Sequence, residues 1–196
     1  LVDIKEVYCE SDPNHIHLEE LEMFKGRIDR WSVGVQSFDD GILKKVGRYD
    51  KFGSGEEAIK KLQKAIGVLP ILNVDLIFNF PNQTQEMLAK DLEIIKALKP
   101  EQVTLYPLMS SPSVKSILKR SIGEVSLQNE AQLYEQILET LKDDFSSLSS
   151  WAFSHKGSAI FDEYVVDNDE YVGIGSGSFS FLNGTLYVNT FSLKEY

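Results

Sequence analysis

Between Pro70 and Phe78 the chain reads Ile71-Leu-Asn-Val-Asp-Leu-Ile77, a near-continuous apolar run of strand length. A strand so apolar on both faces belongs inside a parallel sheet, because only a sheet covered by helices hides such a segment from water. Parallel neighbours need long crossovers, and the flanking sequence supplies them. Upstream, the apolar run Trp31-Ser-Val-Gly-Val-Gln36 is followed by two helical stretches. One opens at Asp39-Asp40 and stops at Gly47; the other opens at Ser54-Gly-Glu-Glu57, with capping-box spacing ahead of Ile59, Leu62 and Ile66. Downstream, Thr84 is placed to cap a helix that carries Leu88, Leu92, Ile95 and Leu98 at the 3.6-residue period, and Pro100 stands beyond its end. The next strand is Val103-Thr-Leu-Tyr106. At the front, residues 2–8 alternate as a strand before the turn around Pro13-Asn14, and a helix follows with Leu18, Leu21 and Phe24, closed by Gly26. A Ser/Pro-rich loop over residues 110–113 leads to a helix marked by Tyr134, Ile137 or Leu138, and Leu141. Four strand-helix units in succession predict an α/β fold with a parallel sheet wound by right-handed crossovers.

The texture changes near Ser149. Aromatics increase, Val165-Val166 and Tyr171-Val172 are short strand candidates, and Asn183-Gly184 between Phe181-Leu182 and Leu186-Tyr187 is a hairpin signal. The expected organisation is therefore a βα region over 1–148 and a β-rich extension over 149–196. A closed eight-unit barrel takes about 250 residues, so four units do not close one. The βα region is either an open doubly wound domain or part of a barrel. Because the chain starts at Leu1 in strand-like sequence, it is expected to be part of something longer.

Composition narrows the function. The 196 residues carry 20 Lys+Arg and 30 Asp+Glu, a formal charge of -10, with no basic block for phosphate contacts; nucleic acid is excluded as a general partner. No apolar run reaches the roughly 20 residues that span a bilayer, so no stable membrane insertion is expected and the chain reads as cytoplasmic. Cys9 is the only cysteine, which rules out an internal disulfide and a multi-cysteine metal site within these residues.

In parallel strand-helix folds ligands bind at the carboxyl ends of the strands. Glu10 follows the first strand, Gln36 ends the second, Asp75 lies near the end of the third and Tyr106 ends the fourth, so all four are expected at one mouth. Strand ends are also polar simply because they approach water. Asp75 interrupts an apolar strand, where an ionised carboxylate needs partners or a ligand. Arg48 has the forked donors that clamp a carboxylate, although an isolated arginine is more often a surface residue. The glycine-rich stretch Gly173-Ile-Gly-Ser-Gly-Ser178 lacks the strand-to-helix setting of a dinucleotide site and reads as a tight loop. His15, His17 and His155 show no metal spacing, and no metal ligand is assigned.

Several stretches together carry a resemblance. They are Trp31-Ser-Val-Gly-Val-Gln-Ser-Phe-Asp39, Leu43-Lys-Lys-Val-Gly-Arg48, Asn73-Val-Asp-Leu-Ile-Phe-Asn-Phe-Pro-Asn-Gln-Thr84 and Leu105-Tyr-Pro-Leu108, then Asp169-Glu-Tyr-Val-Gly-Ile-Gly-Ser-Gly-Ser-Phe-Ser180 and Tyr187-Val-Asn-Thr-Phe-Ser192. In order and gaps they resemble the radical S-adenosylmethionine (radical SAM) proteins of the oxygen-independent coproporphyrinogen III oxidase group. The resemblance implies a partial TIM-like barrel of six strand-helix units, of which this chain supplies units three to six, followed by a small β-rich segment. It implies two cofactors, S-adenosylmethionine and a [4Fe-4S] cluster. The cluster's Cys-x-x-x-Cys-x-x-Cys loop and a Gly-Gly-Thr-type stretch that contacts the cofactor amino group are not in this sequence. In the family the cluster reduces S-adenosylmethionine, and the resulting 5'-deoxyadenosyl radical abstracts a substrate hydrogen.

Carried over by position, Gln36 and Arg48 hold the methionine part of the cofactor, Arg48 through its carboxylate, and Asp75 accepts from the ribose hydroxyls. Glu10 lines the same mouth, Met109 passes the adenine through its backbone, and the glycine loop with Phe179 closes over the substrate side. No catalytic residue is assigned. Asn79-Phe80-Pro81 stands where the family has Gly-Leu-Pro, and Trp151-Ala-Phe-Ser154 where it has Tyr-Glu-Ile-Ser.

The implied activity is oxidative decarboxylation of porphyrinogen propionates to vinyl groups in haem biosynthesis, with a tetrapyrrole substrate, Lys119 and Arg120 as candidate propionate contacts, and an unidentified electron donor. Without a cluster site this chain alone is expected to be inert. A haem-binding or haem-delivery role is the family's alternative. Without the resemblance, the residues suit an aldolase-like or dehydrogenase-like enzyme using Glu10, Asp75 and Tyr106 as acid-base groups.

Overall fold

A computed structural model describes residues 4, 6–109, 120, 122–158 and 170–196. It is a mixed α/β structure in two compact units, Leu1–Phe161 and Asp162–Tyr196. Among the described residues no helix is long and apolar enough to cross a membrane.

The first unit is built on a six-stranded sheet. Strands β1 (Tyr8–Ser11), β2 (Arg30–Gln36), β3 (Ile71–Phe78) and β4 (Gln102–Pro107) lie side by side in chain order and pair parallel, as the strand-helix alternation predicts. Beyond β4 the sheet turns antiparallel: β6 (Ala152–His155) pairs with β4, and β5 (Phe145–Ser147) forms the outer edge. Only a short bend separates β5 from β6, so they close as a hairpin rather than by a crossover. Residues 152–155, assigned from sequence to the β-rich extension, thus sit in the sheet of the first unit.

The first strand lies later than the alternation over residues 2–8 suggests. Its partners run from Arg30 to Val33, which sets β1 at Tyr8–Ser11 and places Glu10 inside the strand, opposite Ser32. Asp12 then accepts from the Asn14 amide (2.9 Å) and Pro13 opens a single 3-10 turn, which ends the extended segment.

Helices α1 (Leu18–Phe24), α4 (Gly55–Ala65), α5 (Gln85–Leu98) and α6 (Leu127–Leu141) cover one face of the sheet. Two short helices, α2 (Asp40–Lys45) and α3 (Tyr49–Phe52), precede α4. The caps are those the sequence predicts. Ser54 and Glu57 form a reciprocal capping box, Thr84 accepts from the Met87 amide, and Gly26 and Gly47 leave α1 and α2 with positive φ. Trp31, Val33 and Val35 of β2, Leu72, Val74, Leu76 and Phe78 of β3, and Val103 and Leu105 of β4 alternate toward the helices, where they meet Leu21, Leu62, Leu92, Ile95 and Ile137. Each such side chain, fully buried, contributes on the order of 1.5–3 kcal/mol.

The alternate residues of the same strands face away from the helices and are mostly polar, Ile71 and Ile77 of β3 being the apolar exceptions. Arg30, Ser32, Asn73, Gln102, Thr104 and Ser154 are all buried there. β3 is therefore less uniformly apolar than its sequence suggests, and its second face carries the polar groups considered below.

The second unit contains a hairpin of β7 (Phe179–Leu182) and β8 (Thr185–Val188). Asn183 (φ 49) and Gly184 (φ 73) both take the left-handed conformation that a two-residue primed turn requires. Tyr171 adds a single antiparallel bridge to Phe181. Val165-Val166, residues 110–113 and Lys119 lie outside the described residues.

Candidate functional site

The polar face of the sheet is a bonded network. Asp75 accepts from Ser32 Oγ (2.6 Å) and from Asn73 Nδ2 (2.7 Å), one donor to each carboxylate oxygen. Asn73 Nδ2 also reaches Ser32 Oγ (2.9 Å), and Thr104 Oγ1 donates to Asn73 Oδ1 (3.1 Å). One row lower, Arg30 Nε donates to Gln102 Oε1 (2.9 Å) and its Nη1 stands 3.6 Å from Glu10. A network with its donors and acceptors matched in low dielectric fixes its members in place. Asp75 is thus an anchored carboxylate whose orientation is set by β2 and β3.

The four strand-end residues do not lie at one level. Glu10 shares a row with Ser32 and Asn73, Asp75 with Gly34 and Thr104, and Tyr106 stands opposite Ile77. Glu10 is exposed and pairs downward with Arg30 rather than toward Asp75.

Gln36 and Arg48 do come together, and they meet at Gly34. The ladder slips by one residue between Gly34 and Gln36, and Gln36 takes φ 73. That turns its amide back over Gly34: Nε2 lies 2.8 Å from the point where a Cβ on Gly34 would stand. Arg48 follows α2, enters α3, and donates from Nη2 to the Gly34 carbonyl oxygen (2.5 Å). Its guanidinium stacks over the Phe52 ring, 4.2 Å from the centroid.

Arg48 is half-buried, and burial lowers its pKa, with Asp12 opposing in part. Its Nε is buried without an acceptor, and among the described residues it makes no ion pair. A desolvated guanidinium with an unused donor has the capacity to bind a carboxylate.

Sequence reasoning passed over Asp91. This α5 residue is 2% exposed, and its carboxylate accepts from Ser37 Oγ (2.8 Å) and the Phe38 amide (3.0 Å), directly after Gln36. Burial raises its pKa to about 6, partly offset by those two bonds. A signal was present: Asp91 follows Leu88 by three and precedes Leu92, inside the buried helical stripe.

Asn79, where the resemblance expects glycine, holds φ 64 and so keeps the left-handed turn. Its side chain also ties the loop to α6, donating to the Ser126 carbonyl (3.2 Å) and Glu130 (3.1 Å) and accepting from Asn129 (3.1 Å). Met109 is exposed just past β4, and Arg120 is exposed. Phe179 belongs to the second unit, on β7. There Gly173 approaches the Phe179 backbone too closely for any side chain, which fits the tight-loop reading of the glycine-rich stretch. Of the histidines, His15 and His17 are exposed and His155 stands edge-on to Phe145. Among the described residues no group of three His, Cys, Asp or Glu is placed to hold a metal.

No family model matches the chain. Individual proteins do. Over 98% of its length the chain is 29% identical to the haem chaperone HemW of Lactococcus lactis subsp. lactis (strain IL1403), of which it spans 52%. Over 69% of its length it is 36% identical to the oxygen-independent coproporphyrinogen III oxidase of Helicobacter pylori (strain J99), of which it spans 29%. In structure it matches the Escherichia coli coproporphyrinogen III oxidase HemN, described as a radical SAM enzyme, with a TM-score of 0.80 and 21% identity over 97% of this chain and 48% of that one. The chain spans about half the length of the relatives it matches along its whole length.

Proposed function

Because this chain belongs to the radical SAM family that includes oxygen-independent coproporphyrinogen III oxidases and HemW haem chaperones, we propose that it forms the cofactor-orienting part of a tetrapyrrole-handling protein. The observation that carries this reading is Arg48, a half-buried guanidinium whose Nε has no acceptor and which makes no ion pair among the described residues. Beside it the Gln36 amide and the Gly34 backbone make a compact polar end for an amino acid group.

S-adenosylmethionine fits these residues. Arg48 takes its carboxylate, Gln36 hydrogen-bonds the methionine end, Asp75 accepts from the ribose hydroxyls, and the backbone at Met109 meets the adenine. Asp75 enters this role already oriented by Ser32 and Asn73, so it accepts without rearranging. The [4Fe-4S] cluster does not fit within these residues: Cys9 is the only cysteine, so three thiolate ligands come from outside the chain. With both groups bound, the chemistry supplied is radical abstraction of a substrate hydrogen. These residues bind and aim the cofactor. Parallel strands in chain order, with no reversal of order among β1 to β4, suit a segment of a partial barrel better than a doubly wound sheet.

For the whole protein the proposed reaction is oxidative decarboxylation of porphyrinogen propionates to vinyls. A second reading, haem binding and delivery without decarboxylation, is favoured by the HemW relative that aligns over nearly the entire chain. The test is the full-length product with its cluster rebuilt without oxygen, assayed by mass spectrometry for 5'-deoxyadenosine and for carbon dioxide loss from coproporphyrinogen III. Both products establish the oxidase. Tight haem binding with no carbon dioxide establishes the delivery role. Failure of a cluster-loaded protein to bind S-adenosylmethionine at all overturns the cofactor reading.

A further inference from the structure

Resting on the reading that Gln36 and Arg48 hold the methionine end of the cofactor, we propose that Asp91 is a positioning residue: it latches the end of β2 and so fixes both side chains for cofactor binding. The geometry is a short relay. Asp91 reaches from α5 to the two residues that follow Gln36, taking the Ser37 hydroxyl on one oxygen and the Phe38 amide on the other. Ser37 Oγ in turn accepts from the Asp39 amide (3.1 Å), and Asp39 caps α2 through the Ile42 amide (2.8 Å). α2 leads directly to Arg48, whose amide closes back on the Leu43 carbonyl (2.8 Å).

One buried carboxylate therefore holds both routes into the site. A non-glycine residue keeps positive φ only where its neighbours are fixed, and Gln36 has Asp91 on its carboxyl side through Ser37 and Phe38. Apolar packing alone does not explain an acid here. Asp91 occupies a place in the α5 stripe between Leu88 and Leu92 that a leucine would fill, yet it is buried at a desolvation cost and spends both oxygens on this one segment.

The test uses the full-length, cluster-loaded protein and compares Asp91→Ala, Asp91→Asn and Ser37→Ala with the parent by hydrogen-deuterium exchange and by calorimetric titration with S-adenosylmethionine. Asp91→Ala should speed exchange over residues 34–39 and 46–50 while residues 92–98 of α5 stay protected. It should weaken cofactor affinity about ten- to hundredfold, the usual size for losing an outer partner of a binding group. Asp91→Asn should restore both, because its oxygen still accepts from the Phe38 amide and its NH2 donates to Ser37 Oγ. Ser37→Ala, the milder change, should move the same segments less, and it decides the matter if Asp91→Ala does not fold. Unchanged exchange over 34–39, or a loss of protection spread evenly through α5, overturns the latch. If the parent itself binds no S-adenosylmethionine, the cofactor reading fails, and the exchange pattern still decides whether Asp91 sets Gln36.

Discussion

The Gln36 amide lies across Gly34, with Nε2 only 2.8 Å from the place a Cβ on that glycine would take. Gly34 does not need positive φ, so an alanine there is tolerated by the strand itself. What it meets is the free end of a side chain, which swings away at little cost. Gly34→Ala should therefore leave stability unchanged or raise it by roughly 0.4–1 kcal/mol through the unfolded chain. The same change displaces the Gln36 amide and should weaken S-adenosylmethionine binding. A melting curve and a titration on one preparation check both halves; binding that holds steady removes Gln36 from the cofactor site.

Arg48 combines a stack on Phe52 with a bond to the Gly34 carbonyl, and lysine reproduces neither the plane nor the fork. Arg48→Lys keeps the charge, so a purely electrostatic role predicts little loss. The bidentate role predicts a drop in S-adenosylmethionine affinity of about tenfold or more, equivalent to roughly 1.4 kcal/mol. Replacing Gln36 and Arg48 together separates this from ordinary acid-base chemistry at Glu10, Asp75 and Tyr106, which would survive the double change. Isothermal titration and turnover of the same variants distinguish the two.

The helix side of the fold was legible because its signals are local. Capping at Ser54 and Thr84, the stops at Gly26 and Gly47, and the Asn183-Gly184 turn each depend on residues close in sequence. Ser32, Asn73 and Thr104 were missed because they are scattered within runs that read as apolar, and only pairing of β2, β3 and β4 brings them to Asp75. β5 and β6 were missed for a related reason. Strands of three and four residues carry almost no periodic signal, and their antiparallel return beside β4 is settled by contacts remote in sequence. Of the strand-end residues, Gln36 does close β2, because strand ends are predictable, whereas Asp75 lies within β3. That Glu10 turns to Arg30 depends on a side chain twenty residues away.

The Asp91 carboxyl is pushed up to about 6 by burial, against an ordinary value of 3.8. Between those values the folded chain keeps a proton that the unfolded chain has released. The stability from this group is then complete below about pH 4 and is lost as pH rises through about 6. Two pKa units correspond to roughly 3 kcal/mol. Asp91→Asn has no proton to lose, so its stability relative to the parent should improve by about that amount between pH 4 and pH 7.5. Urea unfolding of both proteins at several pH values measures the difference, in which every other titrating group cancels. A flat difference would show that Asp91 does not titrate in this range.

Asn79 gives a prediction that separates backbone from side chain. It is 1% exposed, sits at φ 64, and bonds to Ser126, Glu130 and Asn129 at the start of α6. Asn79→Gly, which restores the family's usual residue at this turn, relieves the positive-φ cost but removes one of two partners from the Asn129 amide and from the Ser126 carbonyl, which keep the Gln83 carbonyl and the Glu130 amide. The net change should be destabilising by about 0.5–1.5 kcal/mol, since losing three part-buried hydrogen bonds outweighs the small conformational gain. Asn79→Ala should cost about 1 kcal/mol more, because alanine loses the same bonds and pays for the left-handed conformation as well. Chemical denaturation of the three proteins orders them parent, glycine, alanine if the side chain is the tie between loop and helix. Glycine equal to or above the parent would mean that only the turn conformation matters there, and that the three bonds contribute no net stability.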